Sequence, residues 1–588
     1  MSKESGKAFD FKLFGRLLSY AQAYRWIFYF VGISVLLMSA LAVARPVVLQ
    51  KAIDESILPK DAQGLLTYVL IMAGILLLEV FFQFAFIFYA NWLGQSVIRD
   101  IRVKLFKLML SFKMSYYDKS AVGRLTTRAV NDIETISSIF SQGLFMIISD
   151  LLKMLVIMGV MLYLSWELSL IVFAILPIIL YATRVFQRAM KTAFEEVRTQ
   201  VANLNSFVQE RITGMKIVQL FAREDQEYKE FKAINEKHKK AWIKTVWYNS
   251  IFFPIAEMAS SVAIGLIAWY GARDAVGGGL ITLGIITAFI QYSQMLFRPL
   301  RQIADKFNTL QMGMVAANRV FEILDTTSHI DDQGTIVMDK PKGKIEFKEV
   351  VFGYNKDEPV IKGINFTVQP GQTVAIVGST GAGKSTIINL LSRFYEINSG
   401  QITIDGTPVD QFTLASLRAN IAVVLQDVFL FADSIYANIT LNDASISREQ
   451  VMKAAKEIGV HEFIMSLPGG YDYNVKERGT MLSSGQRQLL AFLRAYVSKP
   501  EILVLDEATS SVDTYSEEMI QTATEKVTQE RTSIVIAHRL ATIKKADAIL
   551  VMEKGKIVEQ GTHAQLLKIK GGYYKNLYEV QFMAEEVM

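Results

Sequence analysis

The stretch TVAIVGSTGAGKST, residues 373–386, sets an apolar run, a glycine-rich turn and a basic, hydroxylated helix start in that order. It fits G-x-x-x-x-G-K-[ST] from Gly378 to Ser385, through Ser379, Thr380, Gly381, Ala382, Gly383 and Lys384, with Thr386 next. Glycines at 378, 381 and 383 let backbone N–H groups wrap phosphate oxygens. Lys384 brings a cation to the outer phosphates, and the Ser385 hydroxyl suits Mg²⁺. The bare pattern arises by chance; in a strand–loop–helix context it seldom does. Farther on, EILVLDEATSSVD, residues 501–513, is an apolar strand ending in two acids. Asp506 is the expected second Mg²⁺ contact, and Glu507 can take a proton from an attacking water. The chemistry these residues suit is hydrolysis of a nucleoside triphosphate.

A third stretch, MLSSGQRQLLAF at 481–492, opens a helix with Ser483, Ser484, Gly485 and Gln486, and Leu489, Leu490 and Phe492 form its apolar face. The bland reading is an ordinary N-cap. The sharper one is an anion site at the positive end of a helix dipole.

These groups need elements to position them. A chain of 588 residues exceeds one core, so two or more domains are expected. Hydrophobic residues make up 51% and charged residues 20%, but the two halves differ. Long apolar runs fill the stretch from Trp26 to about Leu300, while the part after Lys340 has ordinary globular composition. The net charge of +5 does not argue for nucleic acid, and the absence of cysteine excludes disulfides and cysteine chemistry. Lys3, Glu4, Lys7 and Asp10 precede the first apolar run, unlike a cleavable signal peptide.

Windows of about 20 apolar residues give six candidate spans. They are 26–44, 65–93, 137–166, 168–183, 245–272 and 275–297. Two long connections are basic, with Arg99, Arg102, Lys104 and Arg128 in one and Arg184, Arg188, Lys191 and Lys240 in the other. The positive-inside rule places them, both termini and the soluble part in the cytoplasm of a multi-pass protein of the inner membrane. Ahead of the spans, FDFKLFGRLLSYAQAYRW reads as an amphipathic helix at the interface. Three acids interrupt the spans. Asp150 can be neutralised by Lys153 three residues on, whereas Glu79 and Glu257 have no partner within their own spans. They either pair with polar groups such as Gln83 or Gln294, or line a cavity that favours amphiphilic cations.

From Lys344 to about Glu579 the chain resembles the nucleotide-binding domain of ATP-binding-cassette proteins. LSSGQ at 482–486 stands where that family has its Leu-Ser-Gly-Gly-Gln signature, with Ser484 for a glycine. Tyr354 in VFGY matches the aromatic that stacks on adenine, and Gln426 in VLQDVFLF matches the glutamine that contacts Mg²⁺ and couples to the membrane domain. Asp513 matches the D-loop, His538 in IAHRL the histidine that touches the γ-phosphate, and Glu477 in VKERG the glutamate loop of exporters, with Lys476 where glycine is usual. Tyr117, Asp118, Gly123, Leu125, Arg128 and Asp132 match the first coupling region, and Glu210, Gly214, Lys216 and Phe221 the second.

The resemblance implies an α-helical six-span domain followed by an α/β phosphate-loop ATPase. The expected boundaries are an elbow helix at 1–25, a membrane domain at 26–320, a linker at 321–343 and the cassette at 344–588. It further implies ATP and Mg²⁺ as cofactors, with Ser385, Gln426 and Asp506 at the metal, and Glu507, His538 and Gln426 as the catalytic set. In that family the signature helix holds the γ-phosphate of an ATP bound to the opposite cassette. One phosphate loop and one signature per chain therefore imply a second half-transporter, and the altered signature beside an intact Glu507 leans towards a different half. The activity implied is export of a hydrophobic or amphiphilic drug, lipid or peptide by alternating access. Import of a metal–siderophore complex and a non-transporting ATP-gated channel or regulatory subunit are the other readings; intact Lys384, Asp506, Glu507 and His538 speak against a regulatory subunit.

Overall fold

The structure, a computed structural model, describes residues 10–330, 332–355, 357–506, 514–537 and 540–581. It divides into two compact units, Met1–Leu110 with Ala121–Thr327, and Ser111–Ser120 with Ser328–Met588.

The first unit is helical. Helix Phe11–Ala21 begins at Asp10, whose carboxylate accepts from the N–H groups of Lys12 and Leu13, and it buries Leu17 and Ala21. Its Arg16 holds Asp325 through two hydrogen bonds of 2.6 Å. Long helical stretches then run over Arg25–Ala52, Ala62–Leu110, Val122–Leu164, Trp166–Thr213, Glu224–Val276 and Leu283–Leu324. Among the described residues, five helical stretches are long and apolar enough to cross a membrane. Leu283–Leu324 is more polar, carrying Gln291, Gln294 and Arg298, and it buries Phe289, Tyr292, Leu296 and Phe297. The 49 residues of Ala62–Leu110 would extend about 74 Å, over twice a bilayer core of about 30 Å. The basic connections are thus continuations of the spans.

Two expectations change. The sixth helix of the membrane unit begins later than the expected Ala275. The helix ends at Val276, Gly278 takes φ +76°, and the next helix starts at Leu283. Uncharged glycines pass a hydropathy count but break a helix. The cap of that next helix is tied across the unit, where the Asp54 carboxylate accepts from the Thr282 hydroxyl and the Gly284 N–H. The second change concerns the span charges. Asp150 pairs with Lys306 rather than Lys153, and Glu79 has a partner, Arg45, at 3.2 Å. Small residues let the helices approach, as where the Ser39 and Ser149 hydroxyls meet at 3.1 Å.

Among the described residues the second unit holds ten strands: β1 (Ile345–Phe352), β2 (Ile361–Val368), β3 (Thr373–Gly378), β4 (Ser399–Ile404), β5 (Thr407–Pro408), β6 (Ile421–Val424), β7 (Ile502–Asp506), β8 (Thr532–Ile536), β9 (Ala548–Glu553) and β10 (Lys556–Gly561). One sheet is antiparallel in the order β2-β1-β4-β5; the other runs β10-β9-β3-β8-β7-β6, and only β10 is antiparallel to its neighbour. β7 and β8 are buried along their whole length, as parallel strands covered on both faces must be.

Residues 111–120 come from between two membrane helices yet pack within this second unit. The Lys113 N–H donates to the Ser328 carbonyl at 2.9 Å, the Ile330 N–H donates to the Ser111 carbonyl, and Phe112 is buried against the His329 ring. Helix Met114–Lys119 follows, and its Asp118 accepts a hydrogen bond from the Tyr395 hydroxyl.

Candidate nucleotide site

Strand β3 delivers the glycine loop. Gly378, Gly381 and Gly383 take φ of +152°, +83° and +102°, a region that side chains resist. Space also matters at Gly383, where an added Cβ would lie 2.7 Å from the Ile361 side chain. The turn ends at helix Lys384–Leu391, so its first N–H groups face the loop.

Lys384 is only 8% exposed. Its ammonium donates to the carbonyls of Gly378 at 2.7 Å and Ser379 at 3.0 Å, and it makes no ion pair among the described residues. Burial pulls its pKa below the ordinary lysine value, and Asp506 partly offsets that. Such a cation gains from an added anion. The Ser385 hydroxyl donates to an Asp506 carboxylate oxygen at 3.0 Å, joining the helix start to the buried end of β7. A hydroxyl and a carboxylate together are a hard oxygen pair suited to Mg²⁺. Ser379 donates to Glu553 at 3.0 Å.

The Tyr354 ring is partly exposed and stands beside this helix. Its hydroxyl lies 3.3 Å from the Thr386 hydroxyl and 3.4 Å from the Asn389 amide nitrogen. Phe352 and Tyr395 meet the ring edge-on at 5.0 and 5.1 Å, which holds it in place. Tyr395 was not marked by its sequence context, since neither its neighbours nor its spacing suggests chemistry. Burial and the Asp118 carboxylate both raise its pKa.

Gln426 follows β6 and is exposed; no hydrogen bond brings it to Ser385 or Asp506 among the described residues. Glu507, Asp513 and His538 lie outside the described residues.

The signature helix, Ser484–Val497, answers part of the N-cap question. The Ser483 hydroxyl accepts from the Gln486 N–H at 3.2 Å, and the Gln486 side chain accepts from the Ser483 N–H at 2.9 Å. This is a capping box, so both side chains serve the helix itself. Ser484 is exposed at the first helical position, and Gly485 is buried. No hydrogen bond joins 483–486 to 378–386 among the described residues.

Just ahead of it, Lys476 adopts φ +59° and ψ −171°, a conformation open in practice only to glycine, with its side chain exposed. Lys476→Gly removes that strain and no buried contact. It should stabilise the unit by about 1 kcal/mol, raising the midpoint of its thermal transition by roughly 2–4 °C. An unchanged or lower midpoint in the full chain would show that the strain is compensated elsewhere.

The chain matches two family models, the ABC transporter transmembrane region over residues 28–300 and the ABC transporter model over 361–510. It is 35% identical to the uncharacterized ABC transporter ATP-binding protein YknV of Bacillus subtilis, over 98% of this chain and 96% of that one. It is 34% identical to the ATP-dependent lipid A-core flippase of Syntrophus aciditrophicus, over 98% and 95%. Among solved structures, a bacterial Atm1-family ABC exporter with ATP bound superposes with a TM-score of 0.73 at 29% identity, over 95% of this chain and 98% of that one.

Proposed function

The chain belongs to the ABC transporter family as an ATP-hydrolysing exporter half, and from that premise we propose how its residues divide the work. The observation that carries the reading is the convergence of buried Lys384, the Ser385–Asp506 pair and the braced Tyr354 ring on one helix start. Adenine stacks on Tyr354, the N–H groups of residues 379–386 cradle the phosphates, and Lys384 balances their outer charge. Ser385 and Asp506 would hold Mg²⁺, with Gln426 reaching in, and the ion would neutralise charge developing on the phosphates. Glu507 accepts a proton from the attacking water, and His538 donates to the departing γ-phosphate.

The Ser484–Val497 helix serves an ATP held by a partner chain through Ser483, Ser484, Gly485 and Gln486 at its N-terminus, and Asp513 is assigned to the same partner-facing role. Supporting this, helix Met215–Leu220 buries none of its residues, and Ile217, Leu220 and Phe221 are each more than half exposed. Solvent-exposed apolar side chains at the tip of a helical projection suit a second subunit. The partner is a different half, because Ser484 adds a side chain where the site closes on the γ-phosphate. The protein sits in the cytoplasmic membrane with its ATPase unit and both termini inside, and exports an amphiphile.

Purified alone into lipid, the chain should show low ATP turnover, rising about tenfold or more once the complementary half is supplied; inside-out vesicles holding both should accumulate substrate. Robust, substrate-stimulated turnover by the chain alone would replace the heterodimer with a homodimer. ATP-dependent depletion rather than accumulation would reverse the direction of transport.

A further inference from the structure

Within the first unit, the start of helix Trp166–Thr213 and the C-terminal turns of helix Glu224–Val276 enclose a cleft of about 390 Å³. Trp166, Glu167, Leu170, Leu266, Trp269 and Tyr270 line it. A volume of that size admits a small ligand or a lipid headgroup. Both helix ends are remote along the chain from the basic connections, at the level where Trp and Tyr settle when a helix crosses a bilayer.

An interfacial belt accounts for aromatic rings at that level, but not for what surrounds them here. Trp166 and Trp269 are 62% and 63% exposed, and among the described residues neither they nor Tyr270 meet another ring or a cation. Their faces are therefore open. Glu167 stands among them, half-buried, and its carboxylate accepts a hydrogen bond of 3.3 Å from the Ser165 hydroxyl. No cation pairs with it among the described residues, and Arg273, in the last turn of the other helix, does not reach it. An acid in a first helical turn suits the helix dipole, which explains the carboxylate but not three open rings beside it. A carboxylate at the edge of the hydrocarbon is costly until a cation joins it.

We infer that this cleft holds the ammonium headgroup of a membrane phospholipid as a resident ligand that is not transported. Glu167 supplies the opposite charge, and the ring faces of Trp166, Trp269 and Tyr270 attract an ammonium through their quadrupoles. Leu170 and Leu266 offer apolar surface to the lipid's first methylene groups. Arg273 lies one turn beyond Trp269 on the same helix face and is left for the phosphate. A headgroup without a cation gains nothing from the rings and is repelled by Glu167. A lipid seated in this way ties the ends of two helices together at the membrane surface.

The inference depends on these helices crossing a membrane but not on nucleotide or on the direction of transport, and neither enters its test. The full chain is placed in phosphatidylglycerol nanodiscs with a trace of photoactivatable phosphatidylethanolamine, irradiated, and its labelled peptides are mapped. Label should fall on residues 166–171 and 266–270. Unlabelled phosphatidylethanolamine should displace it, and N-acetyl-phosphatidylethanolamine, which lacks the cation, should require about tenfold more. Glu167→Gln should bring the two competitors to parity, whereas Glu167→Asp should keep the preference, which separates lost charge from a damaged fold. Trp269→Ala should weaken labelling about threefold, and Trp269→Phe should restore most of it. Equal displacement by the two lipids in the wild type would reduce the rings to an ordinary belt and overturn the proposal. Label absent from both segments would mean that the cleft is covered, as by helices of a partner chain, and overturns it equally. A preference unchanged in Glu167→Gln removes the acid from the site and the proposal with it. Failed labelling beside intact ATP turnover would sink the lipid site and leave the exporter assignment standing.

Discussion

Lys384→Met should cut ATP turnover by two to three orders of magnitude, on the order of the loss seen when one preorganised charge-stabilising donor is removed from an active site. The residue is buried, and its partners are two backbone carbonyls rather than an acid. Methionine has similar length and keeps the packing, so the substitution leaves no acid unpaired and relieves a desolvated charge. The fold should therefore survive, with an unaltered thermal midpoint in the absence of nucleotide. Two readouts check this, steady-state hydrolysis and binding of a fluorescent nucleotide. Turnover above about a tenth of wild type would mean that Lys384 does not contact the reacting phosphates.

Glu507→Gln should have a comparable effect on turnover with the opposite effect on binding. An amide cannot accept a proton from water at neutral pH, whereas its size and hydrogen-bonding reach match the acid. ATP should still bind and still draw two cassettes together, but the closed state should persist because the reaction that ends it is blocked. On size-exclusion or cross-linking, the variant with ATP and Mg²⁺ should accumulate a nucleotide-bound dimer that the wild type does not. Hydrolysis near the wild-type rate would remove Glu507 from the general-base role.

The glycine loop was legible because its geometry is local. Gly378 to Ser385 are consecutive, and the backbone angles they need can be supplied by three glycines. At Lys476 the family resemblance marks only a side chain where glycine is usual, and the positive φ it adopts emerges from the structure alone. The spans were readable from hydropathy, apart from the boundary at 277–282, where glycines carry no charge to betray a turn. Ion-pair partners were not readable. Helical periodicity relates Asp150 only to residues on its own helix, and Lys306 enters through packing across 156 positions of sequence. The same holds for Tyr395, whose value comes from standing between Tyr354 and Asp118.

The ten residues 111–120 have a consequence for the exchange of cassettes between such proteins. They act as a plug whose socket is made by Ser328, His329, Ile330 and Tyr395, so the ATPase unit is closed by a piece of chain encoded more than two hundred codons upstream. A cassette transplanted from a relative would arrive with its socket shaped for another plug. Phe112 would lose the surface that buries it, and the Tyr395 hydroxyl would lose its acid. A cassette exchanged into this chain should therefore bring its own counterpart of residues 111–120 with it.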